Sequence, residues 1–368
     1  MSEKISILDI FEELQDPRRA GGNMIHPLPD LIFLVISAVV CGADEWTKIE
    51  DFGESQLEWL RQYRPFENGI PSHDTLGRIF SRLNPEAFGQ CFVKWTQHLA
   101  ELTQGEVIPI DGKTLRGSHD RTNGKEAIHL VSAFASNNNM TVGQVKVDSK
   151  SNEISAIPAL LALLKIDGCV VTIDAMGTQK AIAGQIIDQQ ADYVLALKEN
   201  QPTLLEEVKH AFDTMPLGFS AEKVDADHGR VEQRKCEVIQ DLRFVDEAAN
   251  WPALNSVVRL TSTRTRKTDG QQSTQVRYFI SSLTQGEAIA QAIRTHWHIE
   301  NRLHWILDVQ FREDDQRKRL GDSAQNFAII AKVALNLLQQ ETSLKRGVAT
   351  RRLKAGWDLK YRAKVLQI

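Results

Sequence analysis

Short apolar segments that each end at an aspartate alternate with helical segments in the middle of this chain. Residues 107–110 are followed by Asp111, and residues 169–173 are followed by Asp174. Three strand-like runs come first, and helices and strands alternate after them. This order predicts an α/β sheet that begins as an antiparallel meander and continues in parallel βα units. The other segments expected here are strands 128–134, 140–147 and 193–197 and helices 154–164, 178–190 and 203–212.

The composition is that of an ordinary globular protein. The 368 residues include 44 Lys and Arg, 48 Asp and Glu and 42% hydrophobic residues, which excludes a disordered chain and a collagen. The four cysteines form no C-x-x-C pair, which argues against a zinc ribbon or a disulfide framework. The apolar run 31–41 is too short to cross a bilayer, and the first residues lack a signal-peptide pattern. We therefore expect a buried helix at 31–41 and a cytoplasmic protein.

Changes in the hydrophobic pattern and the charge along the sequence predict three regions of the chain. Residues 1–100 are typical of a small helical N-terminal domain, and residues 101–340 contain the α/β pattern. Residues 220–281 interrupt that pattern with strand-like runs around Asp269-Gly270, a hairpin signal, and are interpreted as a β-rich insertion. Residues 341–368 are interpreted as a basic C-terminal tail.

Positive charge is concentrated near the end of the chain. Residues 345–368 contain eight Lys and Arg against Asp358 alone, with Trp357 and Tyr361 between them. This pattern is typical of contact with a polyanion, although a solvated basic tail is the alternative. The helix expected within residues 72–83 has Arg78 and Arg82 opposite its apolar face. An ordinary surface helix is favoured there over a helix that enters a DNA groove.

Acidic residues suggest a metal site. Asp111 and Asp174 both follow strands, where active sites of open α/β sheets gather, and carboxylates suit Mg²⁺. The helix near 296–308 offers Glu300 as a third carboxylate, on one face with His296, His304 and Asp308. A zinc site on the two histidines is disfavoured because eight residues separate them by about 12 Å of helix. Singly, each acid has another interpretation: a turn for Asp111, a helix cap for Asp174 and a surface ion pair for Glu300.

Several motifs occur in one order along the chain. Asp16-Pro17-Arg18 and Pro71-Ser72-His73-Asp74-Thr75 lie in the N-terminal part. The remaining motifs are Asp111-Gly112-Lys113, Asp174-Ala175-Met176-Gly177, Leu197-Lys198-Glu199-Asn200-Gln201-Pro202 and His296-Trp297-His298-Ile299-Glu300-Asn301. Together they resemble the DDE-type insertion-sequence transposases, most closely the H-repeat-associated proteins found with Rhs elements in bacteria. The resemblance covers nearly the whole chain.

The resemblance implies a ribonuclease-H-like catalytic core in which two aspartates and a helical glutamate bind two Mg²⁺ ions, with Mn²⁺ as a substitute. Those catalytic and metal-binding roles carry onto Asp111, Asp174 and Glu300. The implied activity is DNA transposition, in which a homodimer on DNA binds the double-stranded element ends, cleaves them and transfers the strands to target DNA. We expect phosphate contacts from Lys113, Arg116, Lys198, Arg230, Arg351 and Arg352.

The residues around the glutamate depart from the wider family, and this keeps two alternatives open. The family pattern has tyrosine, arginine and lysine where this chain has Ile293, His296 and Leu307. One alternative is a catalytically inactive, domesticated relic that only binds DNA or a protein partner. The other is a ribonuclease-H-like nuclease without strand transfer. Metal-dependent cleavage and a joined product distinguish the three functions.

Overall fold

The computed structural model describes residues 7–18, 24–100, 102–120, 124–148, 152–227 and 229–368. Its helices are α1 (Ile7–Glu12), α2 (Leu28–Val40), α3 (Trp46–Leu60), α4 (His73–Phe80), α5 (Pro85–Leu99), α6 (Glu153–Leu163), α7 (Lys180–Asp188), α8 (Pro202–Thr214), α9 (Gly286–Ile299), α10 (Trp305–Gln310), α11 (Ser323–Gln340), α12 (Val348–Trp357) and α13 (Leu359–Leu366). Its strands are β1 (Val107–Leu115), β2 (Ile128–Ala135), β3 (Met140–Lys146), β4 (Val170–Ile173), β5 (Asp192–Leu197), β6 (Phe219–Asp227), β7 (Arg230–Ile239), β8 (Ser256–Arg266) and β9 (Gln272–Ser281).

The chain divides into two compact units. The first unit contains Met1–Glu101, Gly112–Asn152 and Ile299–Ile368, and the second contains Leu102–Asp111 and Glu153–His298. Both units are therefore assembled from separate stretches of sequence.

The first unit is mainly helical, and its core surrounds α2. The side chains of residues 31–40 are buried, because this helix is apolar on every side and α11 packs against it. The buried helix expected here is confirmed. In the same unit β2 and β3 form the predicted antiparallel hairpin, whose turn ends at Asn139 with a φ of 52°.

The second unit contains a sheet with the strand order β1-β4-β5-β9-β8-β7-β6. The strands β1, β4 and β5 are parallel, as the alternation of strand and helix predicts. The four strands β6–β9 are antiparallel and correspond to the expected β-rich insertion, with Gly270 at φ 67° in the β8–β9 turn. Helix α9 buries Ile289 and Ile293 in one core cluster with Val238 and Val258.

Two segments differ from the expectation. Strand β1 continues beyond Asp111 to Leu115, although its pairing with β4 ends at Ile110. The glycine after Asp111 indicated a turn, but the following side chains have partners on other elements of the first unit. Residues 348–366, expected within a basic tail, form α12 and α13, whose Ala355, Tyr361 and Val365 join the core around α2.

Candidate active site

The register of two parallel strands brings the predicted aspartates to equivalent positions. Ile110 on β1 pairs with Ile173 on β4, and each is followed directly by an aspartate. Because the strands are parallel, Asp111 and Asp174 leave the pairing at the same edge of the sheet. Both residues belong to the second unit and are partly exposed. This edge therefore offers two carboxylates to solvent.

Backbone amides hold the Asp174 carboxylate in place. The backbone N–H groups of Met176 and Gly177 donate to Asp174 Oδ1 over N···O distances of 3.1 and 3.4 Å. The hydroxyl of Thr178 donates to the backbone carbonyl of Asp174 at 3.2 Å and to that of Ala196 at 2.5 Å. Asp174 thus holds the loop that follows β4, and its side chain has a defined orientation. The helix-cap interpretation is wrong, because α7 begins at Lys180 with Gln179 at its N-cap position.

Helix α9 is anchored to β4 near this edge. Thr172 Oγ1 and His296 Nδ1 lie 2.8 Å apart. Thr172 precedes Asp174 by two residues and lies within β4, which ends at Ile173. His296 therefore has a direct contact with the strand that leads to Asp174.

Glu300 begins a π-helical segment, Glu300–His304, that joins α9 to α10. Single π turns are rare in proteins, and many of those that occur lie at functional sites. Within the first unit, the exposed Glu300 carboxylate lies with Oε2 3.6 Å from Nδ1 of the buried His304. The predicted surface pairing of Glu300 thus has a counterpart in His304, on the next turn of the helix.

A largely buried charge network in the first unit surrounds Lys113. The ammonium of Lys113 binds Asp308 and lies 3.0 Å from Glu313 Oε2, while Lys332 lies 3.8 Å from Glu313 Oε1. Burial raises the pKa of Glu313, but Lys332 and Lys113 outweigh it and hold that pKa below its ordinary value. Burial alone would lower the pKa of Lys113, but Glu313 and Asp308 raise it. Lys113 is therefore a charged, internal residue.

The other predicted phosphate contacts fall into two groups. Lys198 and Arg230 are exposed, and the Arg116 side chain is 84% exposed with Asp314 at 3.5 Å. In contrast, Arg351 donates to the Leu338 carbonyl at 2.7 Å. Arg352 is buried and binds the Asp44 carboxylate at 2.6 Å. The two C-terminal arginines are therefore used within the fold.

Sequence reasoning did not identify the partners of Lys113. The helix-face pattern includes Asp308 without giving it a partner, and Glu313 and Lys332 belong to none of the motifs. An acidic run at 313–315 is a weak signal, since such runs are usually solvated.

Comparison with known proteins identifies the family. A family model described as "Transposase DDE domain" matches residues 102–337, and one described as "DDE_Tnp_1-associated" matches residues 8–96. "Putative transposase YncI" of Escherichia coli O157:H7 is 44% identical over 98% of this chain and 94% of its own length. "H repeat-associated putative transposase YhhI" of Escherichia coli K12 is 41% identical over 100% of this chain and 97% of its own length.

A solved structure titled "Cryo-EM structure of piggyBac transposase synaptic complex with hairpin DNA (SNHP)" aligns with 98% of this chain and 76% of its own, at a TM-score of 0.45 and 12% identity. Among the residues that the structure describes, no helix is long and apolar enough to span a membrane. The structure confirms the mixed α/β class with a helical N-terminal region, and the family models match an associated region before a DDE domain. The chain thus belongs to the family of transposases with a DDE domain, which includes the proteins named H repeat-associated putative transposases.

Proposed function

We propose that the protein binds the double-stranded ends of its element and catalyses metal-dependent DNA cleavage and strand transfer. Asp111, Asp174 and Glu300 are the proposed catalytic carboxylates. The observation that carries the proposal is the parallel register of β1 and β4, which gives both aspartates the same place at the sheet edge of a DDE-family chain.

The donor set suits divalent cations. Hard cations such as Mg²⁺ prefer carboxylate oxygens, and two aspartates at one edge provide them. We propose that the three carboxylates hold two Mg²⁺ ions, for which Mn²⁺ can substitute. Bound cations would supply Lewis-acid activation of water and stabilisation of the leaving oxygen. The amides of Met176 and Gly177 orient Asp174, which limits the reorganisation that ligation would require.

Contacts on both sides of Glu300 support its role as the third carboxylate. One turn before it, His296 is bonded to Thr172 on β4, within the second unit. Two turns after it, Asp308 binds Lys113 of β1, within the first unit. The chain is thus held by a hydrogen bond before Glu300 and by an ion pair after it, each within its own unit.

The proposed reaction has two balanced steps. Water attacks an element-end phosphodiester, which releases a 3′-hydroxyl and leaves a 5′-phosphate on the other fragment. The 3′-hydroxyl then attacks a target phosphodiester, so that one bond forms as another breaks. We propose that the exposed Arg116, Lys198 and Arg230 contact DNA phosphates and position the strands, and that the enzyme acts as a homodimer on DNA.

The test is cleavage of a labelled duplex that carries the flanking ends of the element, with Mg²⁺ or Mn²⁺. Asp111→Asn, Asp174→Asn and Glu300→Gln should each abolish nicking and leave binding nearly intact. Asp213→Asn changes an exposed acid on α8 of the second unit and is the matched control. A variant that nicks at the wild-type rate would remove its residue from the site.

Product analysis separates the remaining alternatives. Joined strands with target DNA support transposition, whereas cut strands without joining indicate a nuclease. Salt-sensitive binding to the element ends without any metal-dependent cleavage would instead indicate the catalytically inactive relic.

A further inference from the structure

A groove in the first unit is lined in part by residues that follow Glu300, from Arg302 onwards. It has a volume of about 580 Å³, within the range of small-ligand sites of about 300–1,000 Å³. Its walls come from α10, the end of α11, the β2–β3 turn and the start of α12. Three arginines line it, and none of its described lining residues is acidic: Arg302, Arg346 and Arg351. The groove is therefore suited to an anionic ligand.

The N-terminus of α12 adds hydrogen-bond donors to this positive surface. Gly347 occupies the N-cap position and provides no side chain to cap the helix, and Val348 and Ala349 line the groove beside it. The first amides of a helix lack partners within the helix and favour anions, phosphate in particular.

Two buried amide oxygens also lack partners in the described part of the chain. Gln339 is 8% exposed; its Nε2 donates to the Arg302 carbonyl at 3.0 Å, and its Oε1 accepts no hydrogen bond. Asn139 Oδ1, across the groove wall, is likewise without a donor among the described residues. A buried acceptor without a donor is costly, so a ligand that carries N–H groups fits here.

An aromatic surface completes the groove. The Trp305 side chain lines it and is 57% exposed, although large aromatic residues are usually more buried. An exposed indole provides a flat face on which a nucleobase can stack. The groove thus combines phosphate-binding donors, acceptors for base N–H groups and a stacking platform.

From this combination we infer that the groove binds one unpaired nucleotide of a DNA strand. Its phosphate would lie at the start of α12 with Arg346, its base would stack on Trp305, and the base edge would donate to Gln339. The inference rests on the proposed function, in which DNA is the substrate.

The test measures binding of a fluorescently labelled twelve-residue oligothymidylate by anisotropy, in EDTA so that cleavage does not interfere. Trp305→Leu should raise the Kd about tenfold and leave the salt dependence unchanged. Arg346→Gln should lower the slope of log K against log salt by about 0.7, the value for one phosphate contact to a single strand. Trp357→Leu and Lys345→Gln are the controls, because both residues are exposed and lie outside the groove lining.

The outcomes distinguish a DNA strand from a free nucleotide as the ligand, and they separate the groove from the proposed cleavage activity. Binding of the oligonucleotide that is tighter than binding of free dTMP and that weakens in Trp305→Leu assigns the groove to a DNA strand, whereas equal or tighter binding of dTMP overturns that assignment. An unchanged Kd for Trp305→Leu also overturns the inference, even if the wild type cleaves element ends. Failure of the wild type to cleave, with binding that depends on Trp305, would refute only the proposed activity.

Discussion

Replacing Arg352 with methionine should destabilise the first unit without a specific loss of DNA affinity. The guanidinium donates to the Asp44 carboxylate at 2.6 Å and to the Val39 carbonyl at 2.7 Å, and it also binds the Gln310 carbonyl. It lies 4.0 Å from the centre of the Phe311 ring. The side chains of Arg352 and Asp44 are 7% and 13% exposed, so water cannot replace these contacts.

The loss of unfolding free energy follows from the Asp44 carboxylate, which stays buried without its partner. Breaking a buried ion pair by removing one partner costs about 3–5 kcal/mol, because the other charge stays buried and uncompensated. For a unit of roughly 200 residues, each kcal/mol lowers the Tm by about 2–4 °C. The Arg352→Met variant should therefore melt about 10 °C below the wild type. Asp44→Asn in the same chain should recover part of this loss, since it removes the unpaired carboxylate.

Thermal unfolding followed by circular dichroism, together with binding of the element-end duplex at 20 °C, checks the prediction. Lys360→Met removes an exposed cation from α13 and should change the Tm by less than 2 °C. A wild-type Tm for Arg352→Met, combined with a large drop in DNA affinity, would refute the structural role and assign Arg352 to the DNA surface.

Three further changes test other parts of the fold. Burial lowers the pKa of Lys318 to about 7, although the attraction of Asp44 opposes this shift. Between pH 7 and 10 the unfolded chain therefore binds more protons at this residue than the folded chain does. The urea midpoint of the wild type should rise with pH across this window, and that of Lys318→Met should change less. Burial raises the pKa of Glu341, but hydrogen bonds from Ser343, Tyr361 and Lys364 bring this pKa down to about 2. The stability that the ionised carboxylate adds above pH 4.5 should disappear as the pH falls towards 2, and Glu341→Gln should lose less stability over the same range. A Cβ on Gly117 would lie 2.5 Å from the Gln316 carbonyl oxygen, so Gly117→Ala should lower the free energy of urea unfolding by about 1–3 kcal/mol. Gly89 is in an open position on α5, so Gly89→Ala should raise that free energy by about 0.5–1 kcal/mol. An equal effect of the two substitutions would contradict the packing argument.

The parallel strands that precede Asp111 and Asp174 could be predicted because their signals are local. Apolar runs of four or five residues that end in a polar residue indicate buried strands, and alternation with helices indicates parallel pairing. The register of Ile110 with Ile173 then follows from the ordinary geometry of a βα unit. For the same reason the buried α2 was predictable from its continuous apolar composition.

The roles of the basic residues could not be predicted, because charge does not reveal its partner. Lys113 was expected to contact DNA, but its partners Asp308 and Glu313 lie about two hundred positions along the chain. The same holds for Arg352, whose partner Asp44 is 308 positions away. A sequence pattern records the cation, and only the tertiary fold determines whether a carboxylate or solvent faces it.

The π turn at Glu300–His304 lets this segment of the first unit absorb a change in length. Its hydrogen bonds span five residues instead of the four of an α-helix, so the turn holds one residue more than an α turn. Deleting one residue within it would leave an α turn and keep Asp308 in phase with Lys113. The same deletion within α11 would instead rotate the residues that follow by about 100°.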